Sequence, residues 1–273
     1  MYAFGPIPRQ KRTGRVIGTH QKIDRVARRH LSKHLSEQLP FPSITDILHF
    51  EGARGPDAIK LKTRENEQPR HFIDPDNIEP GDPLLMTIEQ HSSNLSSALK
   101  KRDTVRASFE AAWLAHAVTD GLTPAHHEPF DTQVKELKRE EEERQNFRGK
   151  VMMSGHGSGR QFVRNNWKYW GAKGVMTTHT LFEAGVATTA KPLQFKDAAA
   201  NAEDVAELAT RGFQAIYIDM IHAIDSLGMY DRFKRSGWTR ILARQTTRQL
   251  IPTVIHAVEL AWLEAYRRAE GSK

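Results

Sequence analysis

Apolar residues recur at three- and four-residue steps from Thr19 onward, at Ile23, Val26, Ala27, Leu31 and Leu35. That is the period of an amphipathic helix. Thr19 can cap it, and Pro40 and Pro42 end it. Ser43 or Thr45 can cap a short second helix carrying Ile44, Ile47, Leu48 and Phe50, which stops at the Gly52 to Pro56 turn. Residues 57–83 are rich in Asp, Pro, Gly and Asn and read as a long loop, and loops of that length inside compact domains usually serve function. Helical spacing returns over about 83–100 and 104–119. After a charged and glycine-rich stretch at 131–173 it predicts two or three helices over 174–190, 199–227 and 238–269. No internal repeat and no alternating strand pattern interrupts this. The expected class is all-α: a multi-helix bundle with long loops, an irregular arm at 1–18 and a single domain over 19–273 that carries an insertion at about 131–173.

The totals narrow the chemistry. The 273 residues contain 40 Lys+Arg against 33 Asp+Glu, a net charge of +7, which favours an anionic partner. With no cysteine present, any metal must be held by His, Asp and Glu alone. The first fifteen residues are basic and proline-rich and lack an apolar signal core, so the expected location is cytoplasmic, with a secreted form left open. No span is apolar enough for a transmembrane helix.

The 13 histidines gain meaning from their spacing to carboxylates. In HAVTDGLTPAHH, His116 and Asp120 stand four apart near a helix end, so both project from one face. Gly121 and Pro124 then turn the chain back and bring His126 toward the same space. HTLFEAG repeats the i, i+4 pair with His179 and Glu183, on a stripe shared with Val175, Phe182 and Val186. Two ionisable groups on an apolar stripe are costly unless paired or metal-bound. RHFIDPDN sets His71 between Pro69 and Pro75, GARGPDAIK fixes Asp57 after a Gly-Pro turn, and His20 lies in the first turn of the first helix with Asp24 on its stripe. Five His, two Asp and one Glu thus come from five segments, all at turns or helix ends. One such pair alone would more often be a capping or core feature.

In order, THQKIDRVA, GPD, HFIDPDN, HAVTDGLTPAH and HTLFE resemble the zinc-dependent phospholipase C family and its relatives, the single-strand-specific fungal nucleases. The wording of HFIDPDN is nearer the phospholipases. The resemblance implies a helical bundle whose cleft holds zinc. Asp57, His71, His116 and Asp120 would surround one ion, His126, His179 and Glu183 a second, and His20 with Asp120 a third, the Asp120 carboxylate bridging. Asp57 would also be the general base. In that family the amino group and carbonyl of an N-terminal tryptophan complete the third site. No tryptophan precedes His20, and residues 1–18 hold no His, Asp, Glu or Cys, so two zinc ions are expected. The reaction implied is phosphodiester hydrolysis, with a metal-held hydroxide attacking phosphorus in line. The implied substrate is a phospholipid or another phosphodiester. Single-stranded nucleic acid is the alternative, with Trp167, Tyr169 and Trp170 as stacking platforms beside Arg164 and Lys168. A helical binding protein that retains the metal site without catalysis is the other.

Other polar residues read as bystanders. His30 and His34 sit among Arg28, Arg29 and Lys33 and read as a basic solvent face. His127 is expected to point away from the site, Asp74 to buttress its loop or orient His71, and His156 to lie on a flexible loop. Phe72 would line the pocket or pack beneath it. The run KELKREEEER reads as a solvated helix.

Overall fold

The computed structural model describes residues 18–51, 54–60, 71–128, 137 and 152–271. Every regular element among them is helical. Helix α1 spans Thr19–Leu31 and buries Thr19, His20, Ile23, Asp24, Val26, Ala27, His30 and Leu31, the stripe that the sequence period anticipates together with four polar groups. Helix α2, Ile44–His49, is capped by Ser43, whose hydroxyl accepts from the Asp46 N–H. Helix α3, Pro56–Lys60, opens on the proline and carries Asp57 in its first turn, so Asp57 stands on a helix rather than on an open loop.

Helices α4, Pro83–Lys100, and α5, Thr104–Gly121, start as their sequences dictate. Asp82 accepts from the Leu84 and Leu85 N–H groups with Pro83 at the first helical position, and Asp103 accepts from the Arg106 N–H. Alanines at 107, 111, 112, 115 and 117 are buried along α5, and their small side chains let it pack closely against α4. A Cβ at Gly121 would collide with the Tyr217 hydroxyl, which donates to Val118 O at 2.9 Å. This contact fixes the end of α5 beside the site.

Helix α6, Gly159–Trp170, lies inside the stretch read as an insertion, beyond the KELKREEEER run in which the sequence places its one helix there. The KELKREEEER segment lies outside the described residues apart from Leu137. Helix α7, Val175–Ala190, packs on α6. The helix expected over 199–227 is two: α8, Ala202–Arg211, and α9, Phe213–Asp225, split at Gly212, whose φ of +74° no ordinary helical residue adopts. Helix α10, Met229–Ser236, fills a segment that the periodicity had left unassigned.

The helix expected over 238–269 is interrupted. Helix α11, Arg240–Gln245, runs into a π turn at Thr246–Leu250 and then into α12, Ile251–Glu270. Pro252 has no N–H to give the fourth residue back, and its ring would press on that carbonyl, so the ladder widens before it. Helix α12 packs against α1, α4 and α5, with Trp262 buried and its indole N–H donating to Ala111 O at 2.9 Å. One hydrophobic core joins these helices, and a smaller cluster of Leu137, Met153 and Tyr169 lies under α6. No helix among the described residues is long and apolar enough to cross a membrane.

Candidate metal centre

All eight residues singled out in the sequence converge on one end of α5. His116 and Asp120, one turn apart, bring Nε2 and Oδ2 within 3.3 Å. Beyond Gly121 the chain turns through Thr123, whose N–H donates to Asp120 O at 2.9 Å and whose hydroxyl donates to Thr119 O at 2.8 Å. A 3-10 turn at Pro124–His126 then delivers His126, with Nδ1 3.5 Å from Asp120 Oδ1. The stretch from His71 is tied to this turn by the Ile73 N–H, which donates to His126 O at 3.2 Å. His71 Nδ1 thereby hydrogen-bonds Asp120 Oδ2.

Three more segments close the cluster. His20 in the first turn of α1 stacks its ring on that of His116, with centroids 4.2 Å apart, and sets Nε2 3.5 Å from Asp120 Oδ1. Asp57 Oδ1 lies 3.6 Å from His116 Nε2. From α7, His179 Nε2 and Glu183 Oε1 lie 3.1 Å apart, and Glu183 Oε1 is 3.4 Å from His126 Nε2. Phe182 and Val186 are buried on the same helix, so the apolar stripe does turn this pair inward. His126 and His179 stack at 5.1 Å.

Ligand atoms fall into three groups within metal-binding reach: His20, His116 and Asp120; Asp57, His71 and His116; and His126, His179 and Glu183. The carboxylate of Asp120 divides between two sides, Oδ2 toward His71 and His116, Oδ1 toward His20 and His126.

The electrostatics suit a cation. Burial, reinforced by His116, drives the pKa of His20 well below its ordinary value, and burial takes His126 to about 3, so both rings are neutral and keep a lone pair. Burial works against the Asp120 and Glu183 carboxylates, yet the surrounding histidines hold both well below the usual carboxylate range. His116 is also opposed by burial, and Asp120, Asp57 and Glu51 hold it well above its ordinary value. Among the described residues nothing hydrogen-bonds Nδ1 or Nε2 of His20, Nε2 of His116 or Nδ1 of His126, although all four atoms are buried. Buried polar atoms are rarely left so. The neutral rings of His20 and His126, the ionised carboxylates of Asp120 and Glu183, and a His116 that gives up its proton when a cation takes its place form a nitrogen and oxygen donor set that a divalent metal would satisfy.

Sequence reasoning missed one neighbour and passed over another. Glu51, just past α2, is buried with Oε1 3.3 Å from His116 Nδ1, the atom behind the candidate ligand nitrogen. It stands in a turn with no periodic signal. Asp24 was placed on the His20 stripe without a role; it is buried, and burial with Glu51 nearby raises its pKa well above the carboxylate range.

The bystanders separate. His127 hydrogen-bonds Gly121 O at 3.0 Å and Asp225 Oδ1 at 3.1 Å, facing away from the cluster as expected. Asp74 Oδ1 accepts from the Asp76 N–H at 3.1 Å and so buttresses its loop. Phe72 packs on His126 at 5.2 Å, and His156 is exposed. The solvent-face reading of His30 and His34 fails. His30 is buried, and Nδ1 of His30 and Nε2 of His34 each lie 3.6 Å from the carboxylate of Glu259, a fully buried residue on α12.

No protein-family model and no curated protein matches this sequence. Among solved structures, the chain is similar in fold to the crystal structure of Clostridium perfringens alpha-toxin isolated from avian strain SWCP, at a TM-score of 0.52 and 12% sequence identity. The match covers 94% of this chain and 65% of that one, so the chain spans about two-thirds of the toxin's length. The likeness is one of fold: an all-helical frame.

Proposed function

We propose that this chain is a zinc-dependent phosphodiester hydrolase of phospholipase C type, with its centre built from His20, Asp57, His71, His116, Asp120, His126, His179 and Glu183. The observation that carries the reading is the division of Asp120, whose two oxygens meet two different sets of imidazoles. A carboxylate shared in that way belongs to a centre for neighbouring ions. The motif order, the helical frame shared with alpha-toxin and the buried imidazole nitrogens that nothing described hydrogen-bonds support it.

In this reading Asp57, His71, His116 and Asp120 hold one ion, and His126, His179 and Glu183 the other. Zinc, when bound, supplies neutralisation of the non-bridging phosphate oxygens, a lowered pKa for water and stabilisation of the leaving oxygen. Asp57, whose side chain is the most exposed of those at this centre with 20% accessible, acts as ligand and accepts the proton of the attacking water. His20 stacks on His116 and fixes its plane, and Glu51 orients the same ring from behind through Nδ1. The deciding assay measures metal content of the purified protein together with hydrolysis of a soluble phosphodiester and of a phospholipid. Zinc retention with hydrolysis supports the reading, and a zinc-free protein that zinc cannot activate refutes it.

A further inference from the structure

Helix α6 divides around its axis into three faces. The inner one is anchored: Asn165 is buried and donates to Ser154 O at 2.8 Å, the Met153 N–H donates to Asn166 Oδ1 at 3.0 Å, and Tyr169 packs with Met153 and Leu137 over Val175 and Met176. The outer half carries two adjacent strips. One is apolar, Val163, Trp167 and Trp170, with 67%, 71% and 43% of their surface exposed. The other is cationic, Arg160, Arg164 and Lys168, all exposed and without an ion pair to any described residue.

Large apolar side chains exposed side by side, Val163 and Trp167 above all, mark an interaction surface. We infer that the outward face of α6 is a docking surface for an anionic phospholipid bilayer. Indoles beside an aliphatic side chain, bordered by Arg and Lys, are what a helix lying in the headgroup region presents: rings at the acyl boundary and cations on anionic headgroups. A single-stranded nucleic acid fits less well, because Val163, which opens the exposed strip, has no π face for a base and Tyr169, the third aromatic, is buried in the small cluster. A second copy of the chain would bring the two cationic strips together.

The helix is held firmly to the candidate centre. A Cβ at Gly171 would strike Trp167 O and one at Gly174 would strike Tyr169 O, so the turn between α6 and α7 takes only glycine at both positions. The Thr177 hydroxyl, on the turn of α7 just before His179, donates to Trp170 O at 2.9 Å. As the means by which a lipid phosphodiester comes to the centre, the inference rests on the hydrolase reading. As a docking surface it is measured without metal.

The test is co-sedimentation of the full chain with phosphatidylcholine–phosphatidylserine vesicles and with phosphatidylcholine vesicles, beside hydrolysis of a short soluble phosphodiester. The wild type is expected to prefer the anionic vesicles and to lose that preference at high salt. Arg164→Gln and Lys168→Gln should each weaken binding about fivefold, and Trp167→Ser combined with Val163→Ser should weaken it further. All four substitutions lie on the surface and should leave soluble-substrate hydrolysis unchanged. Absence of vesicle binding, binding indifferent to these substitutions, or binding to oligothymidine in place of vesicles would overturn the docking surface. A chain that docks on vesicles but never hydrolyses the soluble diester would sink the hydrolase reading and leave the surface standing.

Discussion

Nε2 of His116 lies 3.3 Å from Oδ2 of Asp120, one turn further along the same helix, while Oδ1 of that carboxylate is turned toward His20 and His126. A neutral amide of the same shape would keep the packing and lose the charge. Asp120→Asn is therefore expected to lower both zinc content and phosphodiester hydrolysis by at least about 100-fold in activity, in the range of lost charge stabilisation at such centres. Metal analysis and initial rates on the same preparation check this. Full activity in the variant would remove Asp120 from the centre.

Glu51 touches the opposite nitrogen of the same imidazole, 3.3 Å from His116 Nδ1. Carboxylates in that position orient a ligating histidine, and losing one commonly costs about 10- to 100-fold in metal affinity. Glu51→Gln should raise the zinc dissociation constant within that range. Zinc titration against a competing chelator reads it, and an unchanged affinity would make Glu51 a packing residue only.

His34 offers the contrast. It neighbours Glu259 rather than any of the eight, so His34→Ala should leave zinc content and hydrolysis near wild type. Loss equal to that of Asp120→Asn would show that the centre is misassigned.

The Glu259 cluster makes a prediction about pH. Burial raises this carboxyl from 4.5 to about 7, against the Ala200 N–H, which donates to it, and Lys33, while Asp204 raises it further. His30 and His34 face it, and burial lowers the pKa of both. Between pH 4.5 and 7 the native chain keeps a proton that the unfolded chain has released, so the stability tied to Glu259 falls as pH rises through that window. The histidines act in the opposite sense, their contribution being lost as pH falls below 6.5. Glu259→Gln isolates the carboxyl. The stability of wild type relative to the variant should drop by about 3 kcal/mol from pH 4.5 to 7 and stay level above it. Urea unfolding across that range measures it, and a flat difference would show that Glu259 does not titrate there.

The eight cluster residues were legible because each stands beside local punctuation that sequence displays. Gly121 and Pro124 turn the chain toward His126, Pro56 starts the turn that bears Asp57, and i, i+4 spacing aligns His179 with Glu183. The cap at Ser43 was equally local. What failed depended on distant chain. His30 and His34 look solvated among their basic neighbours, and only the arrival of Glu259 on α12 shows that they are covered. Glu51 acquires its role from His116, and nothing in its own turn announces this. Periodicity alone passes through Gly212 and Pro252, where backbone geometry splits one predicted helix and widens another.

The most direct test of the central claim is the zinc stoichiometry of the purified chain after dialysis against a mild chelator, with hydrolysis followed on the same sample. The sets of Asp57, His71 and His116 with the neighbouring Asp120, and of His126, His179 and Glu183, should hold on to metal. A third equivalent resting on His20 and Asp120 should dialyse away, since His116 and Asp120 are shared with the first ion and His20 is the one donor left to the third alone. The predicted result is two zinc equivalents per chain and an active phosphodiesterase. A chain that retains no zinc, and hydrolyses no phosphodiester when zinc is restored, would contradict the account.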